Sequence, residues 1–317
     1  MSSPPGSPLR CVRRQFFAIA LAAALAPGTA CVQASPRSTP AVAVERDLAR
    51  GTVLRRALRA DPSQEYMLYV PTRAARGASI FVTVHGISRN LEEHATLLAP
   101  YADEHGMVLV APSFTRDRHE GYQRLGAGRA GRRADVALDA ILDEVAASTG
   151  ADARRFHLFG YSGGAQFAHR YTLAHPERVR GAVIGAAGWY TFPDDKTPYP
   201  YGLGPSAERS GLRFDPARFL RVPITVLVGA DDTEQGENLR RNPLVDRQQG
   251  TTRRERARRW VEAMNDAARR RGLEPPASYE EVAGIEHSFR QFMREGELGE
   301  RIFGALLGAP SSAGVNP

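Results

Sequence analysis

Lysine is almost missing from this 317-residue chain: Lys196 is the only one, and arginine supplies the rest of the 42 basic residues. Cysteine is equally scarce. Cys11 and Cys31 stand alone, which excludes a disulfide scaffold and any cysteine-rich zinc module. No apolar run reaches the roughly eighteen residues that a membrane-spanning helix needs. No H-E-x-x-H or paired Cys/His spacing occurs, so no metal is expected. With 30 glycines and 22 prolines in no fixed period, a collagen-like or linker protein is excluded too. What is present is ordinary for a globular protein: 42% hydrophobic and 24% charged residues, enough to bury a sizeable core. The formal charge of +7 would admit a polyanion partner.

Part of that charge lies in the first residues. Arg10, Arg13 and Arg14 form a basic stretch without acids, residues 16–26 are apolar, and Val32-Gln33-Ala34 puts small residues before Ser35. This is the pattern of a cleaved signal peptide over residues 1–34, and it implies export to the periplasm or beyond. Arg13-Arg14-Gln15-Phe16-Phe17 also resembles a twin-arginine signal, without the usual Ser or Thr ahead of the pair. A lipoprotein anchor at Cys31 is a third route, but Gly28-Thr29-Ala30 lacks the expected leucine. Cleavage would remove both cysteines and three arginines, leaving 283 residues at +4. At that charge the run Arg253–Arg259 is expected to be a solvated helix face, with no nucleic-acid partner and no membrane segment in the mature chain. Asp135, Asp139 and Asp143 are likewise expected to form a solvated stripe.

Residues 35–50 form an expected flexible lead-in and 309–317 a flexible tail, around one domain over 51–308. Thr52–Leu58 and Glu65–Val70 suggest a hairpin turned by Asp61-Pro62-Ser63. Then strands and helices alternate. The strands are expected at 79–85, 107–111, 156–159, 179–187, 224–229 and 278–282. The helices are expected at 91–104, 133–148, 165–174, 251–271 and 289–307, the last broken near Gly296. Val136, Leu138, Ile141, Leu142 and Val145 are expected on the buried face of the second helix. Such alternation predicts an α/β fold with a parallel sheet covered on both faces, whose chemistry lies at the carboxyl ends of the strands. Residues 189–220 interrupt it with five prolines and several aromatics, an irregular cap insertion.

Gly160-Tyr161-Ser162-Gly163-Gly164 matches G-x-S-x-G between a strand and a helix. A serine at the tip of that turn needs a strained backbone, and side chains two residues to either side would collide. Its hydroxyl needs a base. His287 follows the last strand, whereas His169 and His175 lie on the helix that follows Ser162. The acid should follow the preceding strand, where Val228-Gly229-Ala230-Asp231-Asp232 offers two candidates. The spacing favours Asp232, with Asp231 as the alternative. The Gly163 N–H at the helix start and the Ile87 N–H after His85-Gly86 are the candidate oxyanion donors. Trp189, Tyr190 and His85 are candidate substrate contacts, with Tyr199 and Tyr201 as further pocket walls. A structural role for His85 at the strand end is the alternative.

At FVTVHGISRN, LFGYSGGAQFAHR, GWYTFP, ITVLVGADD and GIEHSF the chain resembles the α/β-hydrolase fold, and more narrowly the exported poly(3-hydroxybutyrate) depolymerase-like esterases. Tyr161 stands where many of these have histidine. The resemblance implies ester hydrolysis through an acyl-enzyme, without a cofactor, by Ser162, Asp232 and His287. A serine peptidase or acyltransferase on the same fold, or a non-catalytic envelope-binding protein, are the alternatives. Mass spectrometry of the exported protein should find Ser35 at its N-terminus; an intact residue 1 would overturn the cleavage reading.

Overall fold

The apolar runs found in the sequence become the inner strands of one sheet. A computed structural model describes residues 48–73, 75–126, 132–209, 211–234 and 239–308. The signal-peptide reading, most of the lead-in and the tail therefore lie outside the described residues. The sheet has eight strands: β1 (Val53–Leu58), β2 (Asp61–Tyr69), β3 (Ser79–Val84), β4 (Val108–Pro112), β5 (Asp152–Tyr161), β6 (Val179–Gly185), β7 (Ile224–Gly229) and β8 (Ala277–Val282). Their order across the sheet is β1-β2-β4-β3-β5-β6-β7-β8. β1 and β2 run antiparallel to their neighbours, and β3 to β8 are parallel. Ile80, Phe81, Val82 and Val84 are fully buried, as are Leu109, Val110 and Ala111, because helices cover both faces and leave no solvated side.

Among the described residues eight α-helices follow in chain order: α1 (Leu91–Glu104), α2 (Ala134–Thr149), α3 (Gly163–Ala174), α4 (Pro216–Phe219), α5 (Pro243–Gln249), α6 (Arg253–Arg269), α7 (Phe289–Glu295) and α8 (Leu298–Leu307). α5 is absent from the sequence expectation. Its signal is short: Asn242 caps the helix by accepting from the Leu244 N–H, and Pro243 opens it. The hairpin turn also differs. It falls at residues 59–60, and the pairing then jumps from Ala57–Glu65 to Leu58–Asp61. Pro62 and Ser63 sit in that bulge, where the missing proline N–H costs no ladder bond.

On α2, Val136 is 59% exposed and does not belong to the buried face. Asp135 is buried in the position the pattern assigned to the solvent. It is tolerated because Arg133 Nη2 approaches it at 2.5 Å and His175 Nε2 at 2.9 Å. Asp139 accepts from the Tyr171 hydroxyl at 2.6 Å, so only Asp143 of the three is solvated. The segment 189–220 contains α4 and a 3-10 turn at Ala207–Arg209. Its aromatics face inward: Tyr190, Phe192, Tyr199 and Phe219 are buried against the sheet and helices.

Burial alone would raise the Asp135 carboxyl, but hydrogen bonds from His175 and Arg133 overcome it and hold the group at about 2. In the unfolded chain it titrates near ~3.9, so the pairing stabilises the fold fully above about pH 4 and loses that effect as pH falls towards 2. Asp135→Asn should therefore cost about 2 kcal/mol at pH 7. The difference from wild type should narrow between pH 4 and pH 2, as followed by thermal denaturation.

Candidate active site

The turn between β5 and α3 carries Ser162 in a backbone conformation that L-residues rarely adopt, with φ 54° and ψ −111°. The surrounding backbone imposes it. The Ser162 N–H donates to Gly185 O at the end of β6 (2.7 Å), and Gln166 N–H donates to Ser162 O (3.2 Å). A Cβ at Gly160 would stand 2.1 Å from Gly164 O, and one at Gly164 would stand 1.9 Å from Val84 O. Strand, turn and helix pack at backbone contact here, which only glycine permits.

Two other strand ends converge on this serine. His287 follows β8, one residue before Ser288, whose hydroxyl caps α7 by accepting from the Gln291 N–H. Its Nε2 lies 3.0 Å from Ser162 Oγ and its Nδ1 lies 2.7 Å from Asp232 Oδ2. Asp232 follows β7 and is 1% exposed. Its neighbour Asp231 is exposed, with its N–H donating to Ile285 O at 3.0 Å. The structure thus brings Ser162, His287 and Asp232 into one hydrogen-bonded line and leaves Asp231 outside it. Tyr161 stacks on the His287 ring, with centroids 5.4 Å apart and planes 20° apart, so it backs the imidazole.

The Gly163 N–H opens α3, where backbone donors lack intrahelical partners. Ile87 faces it: a Cβ at Gly163 would be 3.0 Å from Ile87 Cγ2. The loop bearing Ile87 is pinned by Arg89, whose guanidinium donates to Phe114 O (2.8 Å) and Ile87 O (3.1 Å). Trp189 lines a cleft beside Ser162. The expectation for Tyr190 and His85 needs correction, since neither reaches a substrate. Tyr190 is fully buried on Trp260 (centroids 4.9 Å), and Gln249 is hydrogen-bonded to its backbone. His85 is 1% exposed; its Nδ1 donates to Gly86 O (2.9 Å) and its Nε2 accepts from the Phe114 N–H (3.1 Å). Burial pushes its imidazole down to about 4, keeping it neutral in that structural role. Tyr199 is buried as well, and its hydroxyl donates to Arg124 O. Of the downstream histidines, His169 is buried under Tyr190 and Trp260, and His175 pairs with Asp135.

The arginine run of α6 is solvated only in part: Arg258 and Arg259 are exposed, whereas Arg253 and Arg256 are buried. Arg253 has a side chain only 4% exposed, and its Nη1 donates to Asp232 Oδ1 at 2.9 Å. The two oxygens of Asp232 are thus divided between His287 and Arg253. Sequence reading missed this residue, yet a signal existed. Thr252-x-x-Glu255 is a capping box: Thr252 Oγ1 accepts from the Glu255 N–H at 3.2 Å, which puts Arg253 at the first helical position. A cation there opposes the helix dipole and calls for a tertiary partner. Arg256 is fully buried and donates to Gly250 O, Gly188 O, Arg240 O and Asp246. Among the described residues no cluster of three metal-ligating side chains occurs.

Removing one partner of a buried pair leaves the other charge uncompensated. Arg253→Met should destabilise the protein by about 3–5 kcal/mol. In an Asp232→Asn background the same change should cost much less. Urea unfolding of the four proteins measures this, and additive losses would show that the pair is not coupled.

No protein-family model matches the chain, and no curated protein sequence matches it. Solved structures do. Poly(aspartic acid) hydrolase-1 from Sphingomonas sp. KT-1 is similar with a TM-score of 0.68 and 24% identity, over 81% of this chain and 100% of that one. LpqC, a poly(3-hydroxybutyrate) depolymerase from Bordetella parapertussis, is similar with a TM-score of 0.64 and 26% identity, over 80% and 94%. An S-formylglutathione hydrolase from Agrobacterium tumefaciens is similar with a TM-score of 0.51 and 17% identity, over 81% and 98%. With its strand order, its serine turn and these neighbours, the chain has the α/β-hydrolase fold.

Proposed function

We propose that this chain is a serine hydrolase of carboxylic esters, short hydroxyalkanoate esters or their relatives among them. One observation carries the reading: the continuous line Ser162 Oγ, His287 Nε2 and Nδ1, Asp232 Oδ2, at 3.0 and 2.7 Å, on a strained turn that holds the serine at the strand ends. A serine hydroxyl is a weak nucleophile unless its proton is taken as it attacks. His287 takes that proton, and Asp232 holds its Nδ1–H and stabilises the imidazolium that forms. The attacked carbonyl oxygen becomes an oxyanion, received by the Gly163 and Ile87 N–H groups. The alcohol leaves with the proton from His287. Water, activated by the same imidazole, then releases the acid from the acyl-enzyme.

The likeness to a poly(3-hydroxybutyrate) depolymerase at 26% identity favours an ester over other acyl groups. The reading includes export, which rests on the basic and apolar pattern of residues 10–34.

Ser162→Ala should lower p-nitrophenyl butyrate turnover by at least about a thousandfold while the circular dichroism spectrum stays that of the wild type. Retained turnover would sink the esterase reading.

A further inference from the structure

Ser162 lies between two clefts of unlike charge. The first, of about 450 Å³, runs past Asn90, Glu93 and Arg290. There Arg290 is ion-paired with Glu93 at 2.6 Å, so the charges offset each other. The second, of about 310 Å³, is bounded by Gln123, Arg124, Gln166, Trp189 and Arg240, and no carboxylate among the described residues lines it. Arg124 is paired with Glu208 at 3.2 Å. Arg240 has no ion-pair partner among the described residues; its guanidinium stands over the Trp189 and Tyr201 rings, 5.5 and 5.6 Å from their centroids.

A third guanidinium, that of Arg170, is fully buried and stands 4.0 Å from the Trp189 ring centroid. It too lacks a carboxylate partner among the described residues, and its Nη2 is buried without a hydrogen bond. Burial lowers it only to about 10, so it stays charged at neutral pH. The wall is rigidly built. Arg170 Nη1 donates to Gln123 O (2.8 Å) and Gln166 O (3.1 Å). Arg256 donates to Gly188 O (2.6 Å) and Arg240 O (3.0 Å), on either side of the opening. Among the described residues the cleft therefore carries net positive charge, and Arg240 is its cation without an ion-pair partner.

We propose that this cleft seats a carboxylate, and that the preferred substrate is an ester bearing an ionised carboxyl group held by Arg240 against Trp189. The inference rests on the esterase reading and names its substrate class. A guanidinium without a partner keeps a planar fork of donors that matches a carboxylate in bidentate geometry. The Trp189 wall excludes water from one side of the pair, which strengthens it. A neutral acyl chain of equal length would gain none of this and would leave the guanidinium facing it unpaired.

The test compares matched esters on the purified protein: p-nitrophenyl hydrogen adipate with its methyl ester, and 4-acetoxybenzoate with methyl 4-acetoxybenzoate, each corrected for spontaneous hydrolysis. The first pair puts the anion on the acyl side and the second on the alcohol side. A preference for the carboxylate of about tenfold in kcat/KM is expected in at least one pair. It should shrink with added salt and fall towards unity in Arg240→Gln. Equal or better turnover of the neutral member in both pairs would overturn the inference and leave the esterase reading standing. A preference that Arg240→Gln does not change would also overturn it, by placing recognition elsewhere. No turnover of any of the four would overturn the esterase reading itself.

Discussion

The left-handed backbone at Ser162 is the constraint on which the rest of the site depends. A positive φ at a residue with a side chain costs of order 1–3 kcal/mol and persists only where its surroundings over-determine it. Here they do. The strand end of β6 takes the serine N–H, and Gly160 and Gly164 let β3, β5 and α3 meet at backbone contact. The hydroxyl is thereby pushed out above the sheet instead of folding back along the helix. Because β6, β7 and β8 lie successively beyond β5, the loops after β7 and β8 reach the same edge. Asp232 and His287 arrive there from 55 residues apart, and His287 and Ser162 from 125.

Arginine does structural work that the near-absence of lysine does not by itself reveal. Arg253 meets Asp232, Arg256 ties the carbonyls of Gly188, Arg240 and Gly250 to Asp246 of α5, and Arg170 braces the second cleft. A guanidinium suits these places because it offers five N–H groups in a fixed plane and keeps its charge when buried. An ammonium would satisfy fewer acceptors and would lose its proton more readily in the same surroundings. The same chemistry underlies the proposed carboxylate site, where Arg240 has no ion-pair partner among the described residues.

Much of the architecture was legible in the residue pattern. The alternation of apolar runs with helical segments marked β3 to β8, and the bounds of α1 were read correctly from its spacing of apolar residues. The glycine–serine turn marked the candidate nucleophile, and strand-end spacing pointed to Asp232 and His287. Each of these signals is local: a period, a turn chemistry, a strand terminus. The misreadings share the opposite character. Val136 and Asp135 exchanged places because Arg133 and His175 pair with a buried carboxylate, and those partners come from the N-cap of α2 and from the residue after α3. Arg253 and Arg256 of α6 looked solvated because charge predicts exposure until a partner is known. His85, directly after β3, and Tyr190, in the loop after β6, turn into the core.

The sequence by itself determined the fold class and the chain positions of Ser162, Asp232 and His287, because turn geometry and strand termini are written in adjacent residues. Only the tertiary structure decided which oxygen of Asp232 meets His287 and which meets Arg253, which arginines are buried, and which cleft beside Ser162 keeps a positive charge. Those outcomes depend on the pairing of charges brought together from distant segments, and the strength of such pairing is set by a burial that no local pattern records.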